Sequence, residues 1–261
     1  MHPILFLLTM ILLLNPAHPL YCAQSAMKKP LKVLVLIITS DDVPVYKELQ
    51  KIWQRYMHND PEHVEVYFIR GDPALPVDYA IEGDVVWSKT AESIMPGIIN
   101  KTILSLEGLL PRIHTEFDYV LRTNLSSFYV FPRLLKFLER CPRQQLYCGS
   151  TDRAITFCSG SGFLLTPDLA QMLVDHKSYF LNNNRANDDV LIGNFFKEQG
   201  IRATPHFRID FCSLHDWYIL KNMIPDNVFH FRVKNPNAMR LTDDILMHSA
   251  LLKMFYPHAH A

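Results

Sequence analysis

The sequence predicts an α/β fold, a single domain on a mixed, mainly parallel central sheet flanked by helices. Three observations predict it. Lys32 to Ile38 is an unbroken aliphatic run, the pattern of a strand buried on both faces. A helical periodicity and a second apolar run, Val64 to Ile69, complete a β-α-β unit within about forty residues. A later short strand, Asp118 to Leu121, runs into small polar side chains and then a helix. That is how an open α/β sheet presents a ligand site, at the carboxyl ends of its strands.

The composition fits one domain. A chain of 261 residues can bury a sizeable core, and 49% apolar with 20% charged residues is an ordinary globular balance. Lys plus Arg equals Asp plus Glu, 26 each, so the basic excess needed to hold long nucleic acid is missing. A short anionic ligand needs only a local patch.

Residues 1–26 differ from the remainder. Ile4 to Leu14 is almost wholly apolar, and Cys22-Ala23-Gln24-Ser25-Ala26 is a small-residue region. This resembles a signal peptide without its basic start, or a hydrophobic anchor attaching the protein to a membrane through residues 4–23. A leader predicts the secretory-pathway lumen or membrane association for the domain at 30–256. An uncleaved anchor followed by Lys28 and Lys29 predicts the cytoplasmic face. Cys141, Cys148, Cys158 and Cys212 are enough for two disulfides in an oxidising compartment, or stand as buried thiols.

Within the domain, the first strand ends at Thr39-Ser40-Asp41-Asp42. Asp42 suits an N-cap, with Val43, Tyr46, Leu49, Ile52, Trp53 and Tyr56 following at helical spacing. Asp84 to Trp87 suits a short strand, and Pro96-Gly97 opens a helix carrying Lys101. The strand from Asp118 follows, then a helix opened by Pro132 and a strand at Gln145 to Cys148. A helix starts at Pro167 with Thr166 as N-cap, and another covers Asp188 to Gln199 before Gly200. Short strands near Arg202 to Ile209 and Val228 to Val233 precede a helix from about Thr242 to Phe255. His206, His215, Asp216 and Trp217 fall on expected loops.

Three segments carry candidate chemistry. Asp188 and Asp189 begin a helix, where free N–H groups and the dipole favour negative charge. A carboxylate there can take the proton of an attacking hydroxyl, or be an ordinary acidic helix start. Ser159-Gly160-Ser161-Gly162 has glycines that let backbone approach a ligand, or is a turn before a strand. On the strand from Phe229, alternation puts His230, Arg232 and Lys234 on one face and Phe229, Phe231 and Val233 on the other. A serine hydrolase using Ser126 or Ser161 lacks the Gly-x-Ser-x-Gly elbow before a helix.

Taken together, these pieces resemble the GT-A-fold glycosyltransferases, especially the inverting β-1,3-galactosyltransferase and Fringe-like group. Asp118-Tyr119-Val120-Leu121-Arg122 stands where that group has its strand before a DxD motif. Gly160-Ser161-Gly162-Phe163-Leu164-Leu165-Thr166 matches its glycine-rich segment, and Asp188-Asp189-Val190-Leu191-Ile192-Gly193 its acidic pair with a later glycine. The likeness spans about Leu31 to Val233. It implies a Rossmann-like GT-A domain that moves a sugar from a nucleotide sugar, a UDP-sugar foremost, to a glycan, protein or lipid hydroxyl. It implies Asp189, or its neighbour Asp188, as general base. It implies Thr39, Asp84, Lys101, Arg122, Asn124, Ser126, Gly160, Gly162, Arg232 and Lys234 as binders of the nucleotide sugar.

The chain departs from the group at one place. Where the DxD carboxylates hold Mn²⁺ or Mg²⁺, it has Asn124-Leu125-Ser126. Ser126 and His230 are the candidate ligands if a metal binds. Otherwise Arg122 or Lys101 is expected to carry the leaving-group charge, or the protein binds nucleotide or glycan without turnover. Asn124-Leu125-Ser126 and Asn100-Lys101-Thr102 are also N-glycosylation sequons.

Overall fold

The structure, a computed structural model, describes residues 30–151, 157–183, 186–237 and 239–259. The expected leader, residues 1–26, lies outside the described residues. No helix among the described residues is long and apolar enough to cross a membrane.

The chain opens with β1 (Val33–Ile38), α1 (Pro44–Tyr56) and β2 (Val64–Gly71), the β-α-β unit its periodicity predicts. A hairpin of β3 (Tyr79–Glu82) and β4 (Val85–Ser88) turns at Gly83, whose φ of 58° suits glycine, and leads to α2 (Gly97–Glu116). Next come β5 (Tyr119–Asn124), β6 (Ser127–Tyr129), α3 (Phe131–Leu138), β7 (Tyr147–Gly149) and β8 (Gly162–Leu165). The helices α4 (Pro167–Asp175), α5 (Lys177–Leu181) and α6 (Asp188–Glu198) follow. The chain then forms β9 (Ala203–Pro205), β10 (Ile209–Phe211), α7 (Leu214–Leu220), β11 (His230–Val233) and α8 (Arg240–Phe255).

Eight strands make the central sheet in the order β3-β4-β2-β1-β5-β8-β7-β9. Its middle, β4, β2, β1 and β5, is parallel, and β8 lies antiparallel between β5 and β7. The predicted mixed, mainly parallel sheet is therefore present. In β1 the two-residue period splits the core. Val33, Val35 and Ile37 pack with α1, α3 and α8, while Leu34 and Leu36 pack with α2, α4 and α6. All five are fully buried, each contributing roughly 1.5–3 kcal/mol relative to exposure.

A second sheet, β10-β11-β6, sits beside the tip of β5. Phe128 pairs with Phe231 and Ser127 with Arg232, which brings the late strand back to the tip. Val233 N–H also donates to Ser126 O at 2.8 Å.

Several local expectations are corrected. Val43, not Asp42, is the N-cap of α1, and the Asp42 carboxylate accepts from Ser40 Oγ at 3.0 Å instead. Thr166 holds the N-cap position of α4, but its hydroxyl accepts Leu146 N–H. His215, Asp216 and Trp217 lie on α7 rather than a loop, because Ser213 caps that helix by accepting Asp216 N–H at 3.1 Å. The four domain cysteines are free thiols, so the disulfide option is not realised.

Candidate active site

The parallel arrangement of β1 and β5 puts Ile38 level with Asn124, so both strands open into the same space. A cavity of about 370 Å³ lies there. Its walls include Thr39, Lys101, Asn124, Ser126, Arg232 and Lys234, six of the residues that the resemblance implies for the nucleotide sugar. Tyr46 from α1 and Glu92 after β4, neither expected as a binder from the sequence, add to its polar lining, and Ile94 and Ile98 add apolar surface. The volume falls in the range of small-molecule sites.

Lys101 forms the floor. It is 1% exposed, and its Nζ donates to Thr39 O at 2.9 Å and to Glu92 Oε2 at 2.5 Å. Burial lowers its pKa, and the Glu92 carboxylate opposes that shift. Glu92 Oε1 also accepts Gly71 N–H, so this ion pair ties α2, β1 and β2 together beneath the cavity.

A second convergence lies on the other side of Asn124. Asn124 Nδ2 donates to Gly160 O at 3.1 Å, and Arg122 Nη1 donates to the same oxygen at 2.7 Å. The N–H of Gly160 donates to Asp189 Oδ2 at 2.8 Å. The strand tip and the helix-borne aspartate are thus brought together through one residue. A Cβ on Gly160 would lie 2.9 Å from Asp189 Oδ2, so glycine is required for that approach.

The two aspartates have separate tasks. Asp188 turns inward to an ion pair with Arg122, whose guanidinium is 1% exposed and also lies over the Phe163 ring. Burial pushes the Asp188 carboxyl up, against the pull of Arg122. Asp189 is half-buried, with its second oxygen accepting Val190 N–H at 2.9 Å. Of the pair, Asp189 is the more exposed. The later glycine of the motif has a packing cause: a Cβ on Gly193 would come within 2.0 Å of Phe157 Cβ.

Four expected binders lie away from the cavity wall. Asp84 sits in the β3–β4 turn, where its carbonyl accepts Phe68 N–H. Arg122 is consumed by Asp188 and Gly160. Gly160 carries its neighbours' hydrogen bonds. Gly162 is buried in β8, and a Cβ there would overlap Tyr129 OH at 1.9 Å, so its smallness serves packing, not a sugar.

His230 is part of a chain of hydrogen bonds, buried at Cys148 and His230 and partly exposed at His206. Cys148 Sγ lies 3.8 Å from His206 Nδ1, His206 Nε2 lies 2.9 Å from His230 Nδ1, and His230 Nε2 lies 3.3 Å from Ser127 Oγ. Ser127 in turn donates to Ser161 O at 2.6 Å. One direction of donation, from the thiol through both rings to the serine, satisfies every link with neutral rings. Burial lowers both histidines, His206 to about 3 and His230 well below the usual range.

A metal at the strand tip does not fit these residues. Asn124 spends its amide on Gly160 and its carbonyl oxygen on Ser126 N–H at 3.1 Å. Ser126 Oγ accepts from Arg240 Nη2 at 3.1 Å. His230 has both nitrogens engaged and is absent from the cavity wall. A divalent ion about 4 Å from the Arg240 guanidinium would meet roughly 8 kcal/mol of repulsion at an effective dielectric near 20. Among the described residues no group of three or more His, Cys, Asp or Glu is gathered as for a metal. Ser126 and His230 are corrected accordingly: the first holds a guanidinium, the second a hydrogen-bond chain.

No protein-family model matches the chain, and no curated protein does. Among solved structures, the chain is similar to a glycosyltransferase involved in the glycosylation of the major capsid of PBCV-1. The TM-score is 0.49 and the identity 9%, over 84% of this chain and 99% of that one. It is also similar to the glycosyltransferase GlyE in Streptococcus pneumoniae TIGR4. There the TM-score is 0.45 and the identity 12%, over 86% of this chain and 65%, less than two thirds, of that one.

Proposed function

We propose that this protein transfers a sugar from a nucleotide sugar, with UDP as the favoured nucleotide, to a hydroxyl of a glycan, protein or lipid, inverting the anomeric carbon. The observation that carries this reading is the Asn124–Gly160–Asp189 link. It sets a carboxylate one residue away from the polar end of a cavity large enough for a nucleotide.

In this reading the nucleotide occupies the cavity between Tyr46 and Thr39, with its diphosphate toward Ser126 and the sugar toward Gly160. Asp189 takes the proton of the acceptor hydroxyl as its oxygen forms a bond to the anomeric carbon. The bond from that carbon to the phosphate oxygen breaks on the opposite face, and its electron pair leaves with the nucleoside diphosphate. Asp188 and Arg122 support the geometry without touching substrate. The ion pair of Lys101 and Glu92 fixes the floor, so neither Lys101 nor Arg122 serves as the leaving-group cation.

The test is turnover of a panel of nucleotide sugars by the full chain and by Asp189→Ala. Hydrolysis or transfer by the wild type that falls at least 100-fold in the variant, with nucleotide affinity kept, supports the reading. The replaced metal-holding carboxylates favour a second reading, a protein that binds nucleotide or glycan without turnover. Binding by the wild type with no turnover of any donor would establish that instead.

A further inference from the structure

The position that a metal ion would need is surrounded by positive side chains of this chain itself. Ser126 is their meeting point. Its hydroxyl accepts from Arg240 Nη2, and its carbonyl accepts Val233 N–H, which sets Arg232 and Lys234, the neighbours of Val233, on either side. Both Arg232 and Lys234 line the cavity.

The three cations are held with different firmness. Arg240 is fixed by Asp244, to which its Nε donates at 2.9 Å, and by the Tyr46 ring, whose centroid is 5.4 Å from the guanidinium carbon. Its Nε donates to Asp244, its Nη2 donates to Ser126, and the Tyr46 side chain is a further hydrogen-bond partner, so Arg240 is a braced charge behind Ser126. Arg232 has a long contact of 3.7 Å with Asp210, a carboxylate already held bidentately by Arg208 Nε and Nη2. Lys234 is exposed at the rim. The cavity's Glu92 is taken by Lys101, which leaves Asp42 as the other lining carboxylate.

The geometry points to a metal-free diphosphate site. Arg232 and Lys234, on the cavity wall beside Ser126, bind the two phosphates of a nucleoside diphosphate, with Arg240 adding its charge from behind Ser126, and together they supply the positive charge that a divalent cation supplies in the glycosyltransferases this sequence resembles. The inference rests on the nucleotide-sugar reading. The chemistry favours phosphate over carboxylate ligands because three separated cations match a charge spread over two linked groups. The apolar wall of Ile94 and Ile98 beside Tyr46 gives the attached nucleoside its place, so inorganic pyrophosphate alone should bind more weakly.

The experiment is calorimetric titration of the full chain with UDP, uridine and inorganic pyrophosphate, once in EDTA and once in 1 mM Mn²⁺. UDP is expected to bind in EDTA, with Kd changing less than about threefold on adding Mn²⁺, and tighter than uridine or pyrophosphate. Lys234→Ala, at an exposed position, should weaken UDP about tenfold and leave uridine unchanged. Arg240→Met should weaken it further; if that variant fails to fold, Lys234→Ala and Arg232→Met carry the test. UDP binding that requires Mn²⁺, or that is indifferent to Lys234→Ala and Arg232→Met, overturns the metal-free site and leaves the transferase reading standing. Tighter binding of pyrophosphate than of UDP overturns the nucleoside assignment. No binding of UDP under either condition overturns both.

Discussion

Asn124 and Asp189 grip the two ends of the same residue: the Asn124 amide donates to Gly160 O at 3.1 Å, and the Asp189 carboxylate accepts Gly160 N–H at 2.8 Å. The strand tip that opens the cavity and the helix that carries Asp189 are therefore in fixed register. A shift of either element must break a hydrogen bond on Gly160. If Asp189 is the base of the proposed transfer, this register holds it in place, because a base misplaced by about 1 Å forfeits much of its effect.

Asp189→Asn should separate chemistry from binding. The amide keeps the size and one acceptor for Gly160 N–H but cannot take a proton. Transfer is expected to fall by about 100-fold or more, with nucleotide affinity within about threefold of wild type. Comparable loss in both quantities would show that Asp189 holds the site together instead of reacting.

Gly160→Ala should move the base without unfolding the protein. The added methyl would meet Asp189 Oδ2 at 2.9 Å, and the end of that side chain can swing away. Turnover should drop at least tenfold while the thermal midpoint changes by only a few degrees. A variant with normal turnover would show that the Gly160–Asp189 contact is dispensable.

Asp188→Ala should act on stability. It would strand a guanidinium that is 1% exposed, and breaking one side of a buried ion pair costs about 3–5 kcal/mol. For a domain of this size that is a fall of roughly 10 °C in thermal midpoint. Replacing both partners, Arg122→Met with Asp188→Leu, should recover part of it, since an apolar pair leaves no buried charge. If the double variant is no more stable than Asp188→Ala, the packing of the side chains matters more than their charge.

The sequence discloses those features that are repeated along the chain and conceals those made by distant pairings. β1 is legible because burial on both faces writes an unbroken apolar run, and α1 because its apolar residues keep helical spacing. β11 is legible through the alternation from Phe229 to Lys234, but its partners β6 and β10, three residues each, carry no such period. They exist because Phe128 meets Phe231 across the chain. The acidic pair is legible as a pair, but adjacent helical residues point about 100° apart, so only packing shows which one faces Arg122 and which one Gly160. Arg240 is hidden for a similar reason: its partner Ser126 lies 114 residues earlier. The start of α7 was available in principle, since Ser213 with Asp216 three residues later is a helix-start pattern.

Acid should destabilise the fold through its buried histidines before most carboxylates titrate. Burial lowers His206 and His248 to about 3 and His230 well below the ordinary value near 6.5. An unfolded histidine binds a proton below about pH 6.5 and the folded ones refuse it, so their contribution is complete above that pH and is lost as pH falls toward 3. Between pH 6.5 and 5, three such groups lose together about 5 kcal/mol as an upper figure. Asp188 and Asp244, raised by burial, act in the opposite sense and blunt the loss. The thermal midpoint is therefore expected to fall across this window, by at most about 10 °C. His248 stands apart from the Cys148–His206–His230–Ser127 chain and lies edge-on to Phe128, so His248→Phe should remove about a third of the slope. A midpoint that stays level from pH 6.5 to 5 would mean that these rings are hydrated or already charged at neutral pH, and the neutral chain from Cys148 to Ser161 would have to be abandoned.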